Sequence, residues 1–340
     1  MGTNLEKFPR QAKSRLAPIA SRTTTSFRFA SHPSTERTPL HRHLSLLLLC
    51  AACASSSNPS NGTNGDTDTP QVAAANECQQ WHTAHPDWLF CDDFESATPM
   101  VAEGRYFEHG DSDGDFVPLA DIGLHESNGM LARWHAGDVS VGGLKLAFGR
   151  NPNTYMKSTI RNDEDFREIF YRMYLKHQPG WQGNPAKLSR ATVFASEADW
   201  SQAMIAHLWS DDSGHLLVDP ASCVSGDKVI CQGYNDFDNL RWLGFRPGTT
   251  PIFSTEDSGN WRCVEAHVRL NDPGQANGVH EFWIDGHLET RRDGLDFVGT
   301  YTDYAINAVF FENYWNGGSP VDQERYFDNI VVSTQAIGCN

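Results

Sequence analysis

Cationic and phenolic side chains alternate with apolar ones in one segment of this sequence, and similar groups recur further along it. In residues 168–177, every second position gives the polar set Arg172, Tyr174 and Lys176. Successive side chains of a β-strand point to opposite faces, so these three groups would share one face. The other candidates of this kind are Lys187, Arg190, Gln202, His207, Trp209, Asn313, Tyr314 and Trp315.

These residue types suit β-elimination on a uronic acid polymer. That reaction removes a weakly acidic C5 proton, so cationic or amide groups must neutralise the adjacent carboxylate. A Tyr or His then accepts the proton, and a Tyr protonates the leaving oxygen. We therefore predict catalytic roles for one arginine, one histidine and two tyrosines: Arg172, Tyr174, His207 and Tyr314. The predicted substrate-binding residues are Lys176, Lys187, Arg190, Gln202, Trp209, Asn313 and Trp315.

Structural roles stay open for the same residues. The set on residues 168–177 could be a solvated sheet face paired with surface acids, and His207 could be a hydrogen-bonded core histidine. Trp209 and Trp315 could be packing residues, because Trp is usually largely buried.

Alternation also separates some of the candidates. Gln202 and His207 are five residues apart, so regular alternation places them on opposite faces of a strand. The neighbours Asn313 and Tyr314 fall on opposite faces for the same reason, and only a bulge would bring both to one site.

The elements that would position these residues are β-strands. The stretch 261–286 holds two alternating runs, and it ends on Asp285-Gly286, which favours a hairpin because both turn residues accept positive φ. Helix signals are nearly absent after residue 76, so we predict an all-β sandwich or barrel. The predicted strands are Trp88–Glu95, Tyr155–Ile160, Glu168–His177, Leu188–Ala195, Gln202–Ser210, Leu240–Phe245, Cys263–Leu270, Val279–Ile284, Ala305–Asn313 and Tyr326–Ser333.

The N-terminal part of the chain resembles a targeting segment. Residues 37–43 are basic, residues 44–49 are apolar apart from Ser45, and Cys50-Ala51-Ala52-Cys53 follows. This pattern is similar to a bacterial lipoprotein signal, and that resemblance implies lipidation at Cys53 and an outer-membrane or cell-surface location. Ordinary secretion is the alternative. We predict a signal in 1–53, a flexible tether in 54–76 and a β domain in 77–340.

Charge and cysteine content limit the partners and the compartment. Eight of the 27 Lys and Arg residues and two of the 43 Asp and Glu residues precede Cys53, so the rest has a net charge of −22. Such a surface repels nucleic acid, and we expect no nucleic-acid partner and a monomer.

An even number of cysteines in an exported chain indicates disulfides, and short spacing favours the pairs Cys78–Cys91, Cys223–Cys231 and Cys263–Cys339, although other pairings stay possible.

The order of these segments resembles the concanavalin A-like jelly roll shared by laminarinase-type glucanases and jelly-roll polysaccharide lyases. Phe90–Glu95 and Tyr326–Val332 are similar to the strands that join the chain ends of that fold. Tyr171–Lys176 is similar to its first groove strand, and Phe310–Gly318 to its late groove strand. Trp261–Gly286 is similar to its outer-sheet pair.

The resemblance implies a groove containing the candidate residues. It also implies a structural calcium near the chain ends, with Asp93 and Asp328 as ligands, and no required cofactor. The Glu-x-Asp-x-x-Glu motif of the retaining glucanases is missing, because the matching strand, residues 202–209, has no carboxylate. We therefore predict a surface-tethered polysaccharide lyase acting on an acidic glycan. A lectin-like binding lipoprotein and a structural envelope protein of the same fold are the alternatives.

Overall fold

The computed structural model describes residues 77–211 and 213–339. The predicted lipidation site Cys53 and the predicted tether lie outside the described residues. The helical elements within those ranges are short: α1 (Trp81–Ala84) and two 3-10 turns at Ser112–Gly114 and Leu124–Glu126. The described part of the chain is otherwise strands and loops. The strands are β1 (Trp88–Asp92), β2 (Glu108–Gly110), β3 (Phe116–Leu119), β4 (Gly129–Trp134), β5 (Ser140–Ala147), β6 (Glu168–His177), β7 (Lys187–Phe194), β8 (Gln202–Ser210), β9 (Leu216–Ser222), β10 (Val224–Ser225), β11 (Lys228–Val229), β12 (Arg241–Trp242), β13 (Arg246–Pro247), β14 (Trp261–Arg269), β15 (Gly278–Ile284), β16 (His287–Leu295), β17 (Ala308–Tyr314) and β18 (Gln323–Ser333).

Two antiparallel sheets of eight strands make up the described domain. The first sheet has the order β16-β15-β14-β6-β18-β4-β3, with β1 also paired to β18. The second sheet has the order β12-β9-β8-β7-β17-β5-β2, with β13 also paired to β9. Strands β10 and β11 form a separate small ribbon. The predicted antiparallel jelly-roll sandwich is confirmed.

The inner faces of the sheets are apolar and form one core. On β14, Val264, Ala266 and Val268 are buried in this core, as the alternation predicted. Asp285 and Gly286 take φ values of 50° and 77°, which confirms the tight turn between β15 and β16. No helix among residues 77–211 and 213–339 is long and apolar enough to cross a membrane.

Some predicted strands are wrong or shorter than expected. Residues 155–160 form turns and irregular structure, since the Asn153 side chain accepts a hydrogen bond from the Tyr155 N–H and the segment pairs with no strand. Leu240–Phe245 shrinks to the two residues of β12. The missed strands are β2, β3, β4, β5, β9, β10, β11, β13 and β16, and several of them carry Gly or Pro, which hide a strand pattern.

All three predicted disulfides are present. Cys78–Cys91 and Cys223–Cys231 close short loops, and Cys263–Cys339 fastens the C-terminal tail to β14.

Candidate functional site

The outer face of the second sheet carries a polar row that crosses six neighbouring strands. On β7, Ala191 and Val193 lie in the core, so Arg190 between them in the alternation points outward. The strand registers place directly opposite one another, in order across the sheet, Asp219, His207, Arg190, Phe310, Lys145 and Glu108. We call these six residues, five of which are polar, the polar row. Cross-strand partners lie about 5 Å apart, so the row brings chemically active groups together.

Arg190 is the centre of the polar row and is fully buried. Its Nε and Nη2 donate to the two carboxylate oxygens of Glu312 at 2.8 and 2.7 Å, a bidentate ion pair. Its Nη1 donates to Asn235 Oδ1 at 2.6 Å, and the Tyr234 ring lies 5.2 Å from the guanidinium carbon. Each of the three guanidinium nitrogens therefore donates to a group of the protein itself.

Lys187 and Tyr314 form a cationic and phenolic pair beside that row. They are cross-strand partners on β7 and β17, and the Lys187 ammonium lies 4.3 Å from the centre of the Tyr314 ring. Burial lowers the pKa of Lys187. Both residues line a cavity of about 290 Å³ together with the indoles of Trp209 and Trp242 and the ring of Phe237.

Tyr314 also lines a second cavity, which is next to Glu312 of the Arg190–Glu312 ion pair. This cavity of about 200 Å³ is bounded by Lys145, Glu108, Tyr234 and Glu312. Lys145 forms an ion pair with Glu108, and its ammonium lies 4.8 Å from the centre of the Trp200 ring. Tyr314 is thus shared by two cavities.

His207 lies in the polar row but is fully buried. Its Nδ1 is 2.9 Å from the carbonyl oxygen of Asp219 and must donate to it, so Nε2 carries the lone pair. Within the described residues Nε2 has no hydrogen-bond partner. Burial, followed by the positive charge of Arg190, lowers the pKa of His207 well below its usual value, so the ring is neutral. Trp209 packs on this ring at 3.9 Å between centroids, and His207 does not line either cavity.

Gln202 and His207 share a face, so the prediction that they lie on opposite faces is wrong. An irregularity in the β7–β8 pairing lets two consecutive residues, Ala203 and Met204, both enter the core. The Gln202 amide donates to Thr192 Oγ1 at 2.9 Å and accepts from the Asn235 N–H at 3.3 Å. This side chain therefore fastens the loop that covers Arg190.

The strand that carries Arg172, Tyr174 and Lys176 does not belong to this site, which corrects the prediction that it lines the groove. Strand β6 pairs with β14 and β18 in the first sheet. Its alternate residues face the core, so these three point away from the second sheet. Arg172 is fully buried, forms an ion pair with Glu77 and donates to the Gly338 carbonyl at 3.0 Å. It holds both ends of the described chain against the first sheet.

Two candidates at the end of β17 point inward. Trp315 packs in the core against Trp134 and Trp181, with ring centroids 5.9 and 5.7 Å away. Asn313 Oδ1 accepts a 2.6 Å hydrogen bond from Arg325 Nη2 inside the sandwich. The expected opposition of Asn313 and Tyr314 is therefore correct, and neither Asn313 nor Trp315 shares the outer face with Tyr314.

At the predicted calcium site, the carboxylate of Asp328 accepts hydrogen bonds from the protein itself. Asp328 Oδ2 accepts from the Leu124 N–H at 2.7 Å and from Ser127 Oγ at 2.9 Å, and Asp328 Oδ1 accepts from the Asn329 N–H at 2.7 Å. Burial raises the pKa of Asp328 to about 7. The described ranges contain no group of three or more His, Cys, Asp or Glu residues that could hold a metal.

Sequence reasoning missed several residues of the site. They are Glu108, Lys145, Asp219, Tyr234, Asn235, Phe237 and Glu312. Two of them lie on strands with weak patterns: Lys145 follows a Gly-Gly pair, and Asp219 precedes a proline. Glu312 alternates with the core residue Phe311, a signal that could have placed it beside Tyr314.

Comparison with known proteins links part of this chain to a family of polysaccharide lyases. The model of the family Polysaccharide lyase 14 matches residues 253–330, a span that includes Glu312 and Tyr314. No curated protein sequence matches this chain. A polysaccharide lyase is therefore favoured, and a Glu-x-Asp-x-x-Glu glycoside hydrolase is disfavoured.

Several solved structures are similar to this chain. An endo-β-1,4-glucuronan lyase from the fungus Trichoderma reesei has 13% identity and a TM-score of 0.49, over 73% of this chain and 96% of that one. An alginate lyase from Chlorella virus has 11% identity and a TM-score of 0.47, over 65% and 89% of the two chains. A marine alginate lyase from Aplysia kurodai has 13% identity and a TM-score of 0.44, over 66% and 88%.

Proposed function

We propose that this protein is a polysaccharide lyase that cleaves a uronic acid-containing glycan by β-elimination on the outer face of the second sheet. The observation that carries the proposal is the Lys187–Tyr314 pair, in which an ammonium lies 4.3 Å from the centre of a phenol ring beside two cavities. The lyase family match over residues 253–330 supports the same reaction.

Each group has a defined part in the proposed reaction. The Lys187 ammonium binds the uronate carboxylate and stabilises the charge that develops when the C5 proton leaves. The Tyr314 phenolic oxygen accepts the C5 proton while its own proton passes to the leaving O4. The C5–H electron pair becomes the new C4–C5 double bond, and the C4–O bond breaks with its electron pair on the oxygen. Trp209 and Trp242 supply flat surfaces for sugar rings.

We assign His207 a positioning role in this scheme. It does not line the cavity, and Trp209, which does, packs on its ring. A neutral imidazole fixed by the Asp219 carbonyl holds that indole in place beside Lys187.

Product chemistry tests the proposal directly. The full chain is incubated with glucuronan, alginate and glycosaminoglycans, and ultraviolet absorbance records the unsaturated uronyl ends that only β-elimination makes. A rise in absorbance with each new chain end supports the lyase. Glycan binding without that rise would instead support a lectin-like protein, and neither binding nor turnover on a broad glycan panel would support a structural role.

We also propose that the domain is tethered to the cell surface through a lipid on Cys53. The basic and apolar residues before Cys50-Ala51-Ala52-Cys53 support this. Labelling the expressing cells with a fatty acid should mark the wild-type chain and not the Cys53→Ser variant. An unlabelled wild-type chain released into the medium would contradict the tether.

A further inference from the structure

We propose that the substrate is a glycan in which each uronate is flanked by neutral sugars, and not a polyuronate. This inference rests on the proposed lyase function and concerns the charges and rings of the same site. A polyuronate places a carboxylate on every sugar, so several carboxylates would enter the site together. Each of them would need a cation free to receive it.

The cations of the site are mostly occupied by the protein's own acids. Arg190 is held bidentately by Glu312, and Lys145 is paired with Glu108. Within residues 77–211 and 213–339, Lys187 forms no ion pair, and its neighbours are the rings of Trp209, Phe237 and Tyr314. The described site therefore offers one unpaired cation, which matches one sugar carboxylate.

The surfaces beside that cation are aromatic and not cationic. On one side lie Phe237 and Trp242, whose rings are nearly parallel at 10° with centroids 6.2 Å apart, and each residue is 43% exposed. Around the paired cations Arg190 and Lys145 lie Tyr234 and Trp200, whose ring centroids are 5.3 Å apart. Aromatic faces pack on the apolar faces of sugar rings, and they offer no positive charge to a further carboxylate. Neutral sugars fit both neighbouring positions.

Matched polymers separate this inference from the proposed function. Glucuronan and unsulfated chondroitin both carry a β-linked sugar at O4 of glucuronate, but in chondroitin the neighbour is a neutral N-acetylhexosamine. The measurement is kcat/KM for the full chain on each polymer, from the absorbance of unsaturated ends. We expect chondroitin, or hyaluronan with the same alternation, to exceed glucuronan and alginate by about tenfold or more.

Equal or faster cleavage of glucuronan or alginate would overturn the inference and leave the lyase function standing. Unsaturated ends from none of these polymers would count against the lyase function itself, and the inference would fall with it.

One substitution tests the charge argument within the protein. Glu312→Gln removes the carboxylate that occupies Arg190, so we expect the chondroitin-to-glucuronan ratio of kcat/KM to fall severalfold. The matched control is Glu324→Gln on the first sheet, which removes the carboxylate paired with Arg133 at 2.9 Å and should leave the ratio unchanged. A folded Glu312→Gln variant with the wild-type ratio would overturn the inference.

Discussion

Tyr314 and Lys187 are the residues on which the proposed reaction depends. Replacing Tyr314 by Phe removes the proton-transferring hydroxyl and keeps the ring, so kcat should fall by about 10²–10⁴ with little change in KM. Replacing Lys187 by Ala removes the charge that binds the carboxylate, so KM should rise and kcat should also fall. Steady-state kinetics on the best glycan substrate measures both effects.

The first sheet supplies matched controls for these two substitutions. There the Lys176 ammonium lies 4.9 Å from the centre of the Tyr326 ring, and the two residues are cross-strand partners on β6 and β18. Tyr326→Phe and Lys176→Ala should leave kcat and KM unchanged.

His207→Phe should reduce activity less than Tyr314→Phe does, and an equal loss would make His207 the base.

Asp328 gives the stability of the fold a defined pH dependence. Burial raises its pKa to about 7 in the folded state, against roughly 3.9 in an unfolded chain. Between these values the folded state keeps a proton that the unfolded state releases, so Asp328 stabilises the fold below about pH 4 and this contribution is lost as the pH rises to about 7. Denaturant unfolding of wild type and Asp328→Asn should show the wild type losing stability relative to the variant over this range. Asp322, whose carboxylate is exposed, provides the control variant Asp322→Asn. If the wild type lost stability relative to this variant as well, the loss would not come from Asp328, and the assignment would be contradicted.

At the scale of elements, Gly142 shapes the edge of the site where β5 meets β2. It has a φ of 94°, and a Cβ added there would lie 1.9 Å from the Gly110 carbonyl oxygen. Gly137 has the same φ, but nothing lies within 4 Å of an added Cβ there. Gly137→Ala therefore measures the cost of the backbone conformation alone, without a steric clash. Gly142→Ala should lower the free energy of unfolding by about 2 kcal/mol more than Gly137→Ala does. Equal losses in chemical denaturation would show that the close approach of β2 does not matter.

Local pattern predicted the strands with a clear period and missed those without one. The limits of β6 and β8 were predicted correctly: polar and apolar residues alternate in β6 from Tyr171 to Lys176, and β8 is a mostly apolar run between Gln202 and Ser210. Strand β5 was missed because Gly142 and Gly143 break its pattern. The sheet face of Gln202 was predicted wrongly, because a bulge in the β7–β8 pairing shifts the alternation. Such a bulge depends on how two strands pair, which the sequence of one strand does not show.

The sequence predicted site residues from their type and from their alternation within a strand, but it did not predict which residues of other strands they contact. Lys187, Arg190, Trp209 and Tyr314 were found by residue type, and the structure places them on one face. The Glu312 carboxylate that occupies Arg190 belongs to a strand 122 positions further along the chain. Sheet assignment caused the largest error, because nothing in the β6 sequence says which sheet it joins.

At the scale of the whole molecule, the net charge of −16 for the full chain opposes the approach of an acidic glycan. Added salt screens this repulsion, since the Debye length falls from about 30 Å at 0.01 M to about 10 Å at 0.1 M. We therefore expect kcat/KM on an acidic glycan to rise over this range of NaCl concentration. A steady fall would show that local attraction by cations dominates the encounter.

Two double variants of the full chain, compared in the ultraviolet assay for unsaturated uronyl ends, decide whether the second sheet carries the reaction. Lys187→Ala with Tyr314→Phe removes the pair on the second sheet, and Lys176→Ala with Tyr326→Phe removes the corresponding pair on the first sheet. Both proteins should fold, which circular dichroism checks. We expect wild-type product formation by the first-sheet variant and none above background by the second-sheet variant. Retained activity in the second-sheet variant, or its loss only in the first-sheet variant, would contradict the proposed site.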